Sequence, residues 1–198
     1  MTVSALKDWA QTTRRRAIRL AVVLPFIALA AACTSPQPQR NFDGDPAFRT
    51  TAPSRLFFNN VRSSAYYSER RKGTELDLYR NRKFSQTQKR PLLVPVIVND
   101  WMNEEAFLFI RPNKFEGLGD PLSVRFTGDT ISGTYTLDIP NKAAQYDFAT
   151  DLFESIDRGD ALAVMLADST FVPIYESRAE RGAFLTVIRD YYRLTERM

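Results

Sequence analysis

The spacing of apolar residues changes at Asn141, and that change confines the fold. Upstream, short segments either alternate or run continuously: Leu76 and Leu78 against Asp77 and Tyr79, then 91–98 (PLLVPVIV), 104–111 (EEAFLFIR), 122–126 (LSVRF) and 130–139 (TISGTYTLDI). Alternation marks a strand with one buried face, and a short β-branched run marks a strand buried on both. Downstream, Phe148, Ala149, Leu152, Phe153 and Ile156 recur at helical spacing, and Gly159 follows Arg158 as a C-cap. Two further strands, 161–166 and 171–175, flank the turn Asp168-Ser169. Ser177-Arg178-Ala179-Glu180 then reads as a capping box opening a second helix with Phe184, Leu185, Ile188, Tyr191 and Tyr192 on its apolar face. The order predicts an α+β fold. Its sheet is mostly antiparallel, with two amphipathic helices, about 142–158 and 178–195, packed on one face.

Three details carry expectations of their own. Gly73 supplies the turn of a hairpin over 63–80. Pro95 argues for an edge strand or a bulge, and Gly133 for a bulge. The segment 54–62 (SRLFFNNVR) is too short for periodicity to choose helix or strand.

Residues 1–32 have the parts of an export signal: a positive stretch with Lys7, Arg14, Arg15, Arg16 and Arg19, an apolar run of thirteen residues from Leu20 to Ala32, and small residues before Cys33. The run is too short to span roughly 30 Å of hydrocarbon, which takes about 20 residues. Ala31-Ala32-Cys33 resembles the lipidation site of a bacterial lipoprotein precursor, departing from it at Ala30, where that family most often has leucine. The resemblance implies cleavage before Cys33, a diacylglyceryl group on its thiol and an acyl chain on its new amine. The partner so implied is a membrane, held through the N-terminal lipid. Thr34 after the cysteine implies the outer membrane, facing the periplasm, over the inner one. The alternative is ordinary secretory cleavage at the A-x-A triplet 30–32, leaving a free thiol. Residues 1–32 are then signal peptide, 33–53 lipidated N-terminus and Pro/Gln/Thr-rich linker, and 54–198 a single domain.

The net charge of +4 belongs to the signal, because residues 34–198 hold 22 basic and 22 acidic side chains. Net charge therefore gives no argument for nucleic acid. Within the mature chain, residues 34–90 carry 12 basic and 5 acidic side chains, and residues 91–198 carry 10 and 17. The basic part either faces anionic headgroups or is neutralised by the acidic part inside one fold. Arg62, Arg70, Arg71, Lys72, Arg80 and Arg82, interleaved with Phe57, Phe58, Tyr66, Tyr67, Tyr79 and Phe84, are the candidates for an anionic-surface site.

The chain has no histidine and one cysteine. Ser-His-Asp and Cys-His catalysis and ordinary zinc sites are therefore excluded, and no P-loop, G-x-S-x-G or haem-attachment motif occurs. No catalytic residue, cofactor or metal is assigned. Asp147, Asp151 and Glu154 read as a solvated helix face. The expected role is non-catalytic binding or scaffolding in the cell envelope, with an envelope protein or glycan as partner. The alternative is a carboxylate-dependent glycan hydrolase using Asp100, Glu104 and Glu105 around Trp101.

Overall fold

The computed structural model describes residues 48–84 and 90–197. The expected signal peptide, Cys33 and most of the linker lie outside them. Two antiparallel four-stranded sheets carry the fold. The first, in spatial order, is β1 (Tyr66–Arg70), β2 (Leu76–Asn81), β3 (Leu93–Asp100) and β4 (Glu105–Pro112); the second is β6 (Ser132–Leu137), β5 (Leu122–Thr127), β7 (Ala161–Met165) and β8 (Phe171–Ile174). The α+β class holds, with the strands divided between two sheets rather than gathered in one. Helices α2 (Lys142–Arg158) and α3 (Arg178–Leu194) follow the helical stripes. Helix α2 touches β4 of the first sheet and β6 and β7 of the second, and α3 covers β3.

The helix ends are set by side chains. Asn141 accepts from the Ala144 N–H at 2.9 Å, and Gly159 closes α2 with φ 95°, a left-handed conformation that costs glycine little. Ser177 accepts from the Glu180 N–H at 3.2 Å. The reciprocal half of the expected capping box is replaced, because the Glu180 carboxylate pairs with Arg90 instead.

The segment 54–62 is helical. Helix α1 (Ala52–Phe57) runs on into a π-helical turn (Phe58–Arg62) and a 3-10 turn (Ser63–Ala65). Thr51 caps α1 in a reciprocal pair with Ser54. The fold begins earlier than residue 54. Phe48 and Thr50 are buried, the Ala106 N–H donates to the Phe48 carbonyl at 2.7 Å, and the Thr50 N–H donates to the Glu104 carbonyl at 2.7 Å. The expected linker therefore ends before Phe48.

Two expected irregularities are regular. Gly133 lies directly opposite Phe126 in an unbroken β5–β6 register. A Cβ there would sit 2.8 Å from the Phe126 ring, which stacks on Tyr135 at 4.5 Å. The glycine is a seat for a ring rather than a bulge. Pro95 lies in β3, an inner strand, opposite Ile110. The Ile110 N–H points outward to the Gln145 Oε1 at 2.8 Å, so this is a non-hydrogen-bonded pair in which β4 requires nothing from the proline nitrogen. On the other side β2 pairing stops at Arg80↔Val96, one position short of Pro95. The strand tolerates proline because the missing donor falls where the ladder ends.

The joint of the domain is the Asp190 carboxylate on α3, 2 % exposed. Arg62 donates to it twice, at 2.8 and 2.9 Å, and the Tyr66 hydroxyl donates at 2.7 Å. Tyr66 also packs with Phe58 and Tyr79 in a cluster of rings with centroids 5.0 to 6.4 Å apart. Removing one partner of a buried ion pair strands the other charge. Arg62→Ala, which leaves the buried Asp190 carboxylate without its bidentate donor, is expected to lower unfolding free energy by about 3–5 kcal/mol in urea titration. Gly133→Ala is expected to cost about 1–3 kcal/mol in the same assay, through overpacking against Phe126.

Burial raises the pKa of Tyr66, Tyr79, Tyr175 and Tyr192, and two of these phenols illustrate the pH dependence. Burial, then the hydrogen bond to Asp190, raises the Tyr66 pKa, and burial raises that of Tyr175, whose hydroxyl donates to the Leu93 carbonyl. Below pH about 10 both phenols stay protonated, folded or unfolded, and contribute no slope. Above it the unfolded chain ionises first, so stability falls as pH rises. The urea midpoint should be lower near pH 11 than near pH 8, with Tyr66→Phe removing part of that drop.

Candidate functional site

The candidate site is the face of the first sheet turned away from α3. Register builds it. Tyr67 lies opposite Arg80, Arg80 opposite Val96, and Val96 opposite Phe109, so one row crosses all four strands. One step along, Val94 lies opposite Arg111. Because side chains alternate across a strand, these residues share a face, while Tyr66, Tyr79, Ile97 and Leu108 point into the core. A groove of about 350 Å³ lies along this row. Val94 and Val96 form its floor and are buried, whereas Tyr67 and Phe109 stand exposed at opposite sides. Arg80, Arg111 and Lys114 supply positive charge and Glu69 the one negative charge in the lining.

Two cations are held in place against Tyr67. The Arg80 and Arg82 guanidiniums each lie 5.1 Å from the centroid of the Tyr67 ring, within cation–π range. The Arg82 Nε also donates to the Tyr66 carbonyl at 3.1 Å. The bend that brings Lys114 to the rim is set by Asn113, which accepts from the Leu92 N–H at 3.1 Å and donates to the Arg90 carbonyl at 2.8 Å. An apolar floor, the exposed Phe109 ring and fork-shaped guanidiniums, two of them packed over Tyr67, suit a ligand that carries an anionic group on a body able to stack.

The six cationic residues predicted from sequence separate. Arg80 and Arg82 meet at Tyr67 beside the groove. Arg62 is taken by Asp190, and Arg70 by Asp77 at 2.8 Å. Arg71 and Lys72 stand exposed at the β1–β2 turn, where Gly73 has φ 76°. Phe109, Arg111 and Lys114 belong to the groove and were not among the predicted residues. Their signal was the alternation Ala106, Leu108, Ile110 against Phe107, Phe109, Arg111, which puts Phe109 and Arg111 on one face of β4.

The three acids at the β3–β4 turn do separate structural work. Asp100 accepts from the Asn103 N–H at 3.2 Å and from its side-chain amide at 2.9 Å, closing the turn. Glu104 pairs with Arg55 at 3.2 Å and Glu105 with Lys142 at 2.6 Å. Trp101 is exposed on this turn and is not part of the groove lining. On α2, burial and then the neighbouring Glu154 and Asp147 raise the Asp151 pKa, while Glu154 and Asp157 face Arg158 and Arg189. Among the described residues no group of three or more acids or thiols is placed to hold a metal ion.

The chain matches no protein-family model, no curated protein and no solved structure. Among the described residues no helix is long and apolar enough to cross a membrane. The functional reading therefore rests on the chain's own residues.

Glu104 and Glu105 are partners in partly exposed ion pairs, so Glu104→Gln and Glu105→Gln should each cost less than about 1 kcal/mol in thermal denaturation.

Proposed function

We propose that this is a lipid-anchored protein of the bacterial cell envelope that acts by binding an anionic partner rather than by catalysis. The observation that carries the binding reading is the row Tyr67–Arg80–Val96–Phe109, with Arg111 and Lys114 beside it. It joins charge, exposed aromatic rings and an apolar floor along one sheet face, where Arg80 is already ordered against Tyr67. The address is supported by the signal and Ala31-Ala32-Cys33, and an outer-membrane position facing the periplasm by Thr34. Multiple acyl chains at one cysteine give stable attachment, at about 0.8 kcal/mol per buried CH₂.

The hydrolase alternative has less support. Two carboxyls about 5–9.5 Å apart across a sugar-binding cleft are what that chemistry needs. Here Glu104 and Glu105 are tied to Arg55 and Lys142, away from the groove.

Two measurements test the reading. Intact mass of membrane-extracted protein, beside Cys33→Ser, should show a wild-type N-terminus at Cys33 carrying the mass of the lipid groups. A cleaved, unlipidated product would make the chain an ordinary secreted protein. For the groove, the probe is retention on phosphocellulose, a phosphorylated glucose polymer, at low salt. The mature chain is formally neutral, so retention reports a local site. Arg80→Glu combined with Arg111→Glu should abolish it, whereas Arg178→Glu, an exposed site at the start of α3, should not. Equal loss in both variants would refute the groove as the binding site.

A further inference from the structure

Helix α1 and the π turn after it are amphipathic in an inverted sense. The inward side is small: the Ser54 hydroxyl donates to the Leu194 carbonyl at 2.7 Å, and Phe58 packs on Tyr66 and Tyr79. With Ser54 and Phe58 inward, Leu56, Phe57, Asn60 and Val61 are left exposed. Leu56 is 62 %, Phe57 45 % and Val61 54 % exposed. The fold does not require these three to be apolar, because none of them is part of the core. An apolar trio within six residues, kept open to water, calls for an apolar neighbour.

Two observations choose that neighbour. Residues 46–68 contain Arg49, Arg55 and Arg62 and no acid of their own, and the acids that reach this segment, Glu104 and Asp190, are paired with Arg55 and Arg62, so the segment itself brings no negative charge to an anionic surface. The same segment stands where the chain enters the fold, with Phe48 only fifteen residues after Cys33. Even fully extended, that tether reaches about 50 Å. Of the elements of the domain, α1 comes first after the tether.

We propose that the face formed by Leu56, Phe57 and Val61 docks on the bilayer surface as a second, shallow membrane contact beside the lipid at Cys33. The inference rests on the lipid-anchor reading above. Docking fixes α1 against the interface and adds the burial of three side chains to that of the acyl chains.

The test uses the full chain, processed in a bacterium and reconstituted into vesicles of phosphatidylethanolamine and phosphatidylglycerol. With Cys33 lipidated, Asn60→Cys supplies the one free thiol, on the docking face and outside the apolar trio. It is labelled with an environment-sensitive fluorophore, and Ile139→Cys, on an exposed site after β6, is the control. The label at position 60 should shift to the blue and be quenched by brominated lipid, while the control label stays unquenched. Adding Leu56→Gln, Phe57→Gln and Val61→Gln should cut that quenching about fivefold or more, given the apolar area removed, with an unchanged circular dichroism spectrum. Intact mass reports the anchor independently. Lipid on Cys33 with an unquenched label at position 60 overturns the docking face alone. Absence of lipid overturns the anchor and this inference with it. A blue shift that grows with protein density but is untouched by brominated lipid also overturns it, because a second copy then covers the face.

Discussion

One buried carboxylate ties the N-terminal part of the domain to its C-terminal helix. Asp190 sits on α3, and its three closest donors come from the segment 62–66. Without the bidentate arginine the carboxylate would be a desolvated charge, and without the carboxylate the Tyr66 hydroxyl would lose its acceptor in the core. The geometry propagates from there. Tyr66 is the first residue of β1, so fixing its side chain fixes which face of β1 is inward. Tyr67 then points outward, and β1–β2–β3–β4 register places Arg80, Val96 and Phe109 in line with it. The groove is in this sense the reverse side of the Asp190 cluster.

Ion pairs like that of Arg62 and Asp190 join the basic and acidic parts of the chain. Arg55, Arg62 and Arg90 from the basic part reach Glu104, Asp190 and Glu180 from the acidic part. Charge asymmetry along the sequence becomes ion pairing across the structure. Strand geometry then gathers Arg80, Arg111 and Lys114 along one groove, a grouping that net composition does not specify.

Much of the fold was legible because it rests on local periodicity. The helix bounds near 142–158 and 178–195, the Gly159 cap and the hairpin at Gly73 follow from patterns within a few residues. The α1 segment was not, since Ser54 and Phe58 are its only inward residues and its larger apolar side chains face water. Gly133 and Pro95 were misread because their role depends on a neighbouring strand: the ring of Phe126 in one case, the end of β2 pairing in the other. The site was half legible. Arg80 was visible as part of a basic, aromatic segment. Arg62 looked equivalent to it until Asp190, 128 residues away, claimed it. Phe109 and Arg111 carried the right alternation, but alternation names a face and not the strand that will lie opposite.

The edge of β4 is closed at two points, by the backbone of Phe48 and Thr50 at one end and by the Gln145 side chain at the other. The β1 edge of the same sheet carries exposed Ser68, Glu69 and Arg70. A sheet that grows by adding neighbours needs an open edge on each side. With β4 sealed, pairing through β1 stops at two copies and cannot propagate into a fibre. That asymmetry makes self-association through this sheet a closed event.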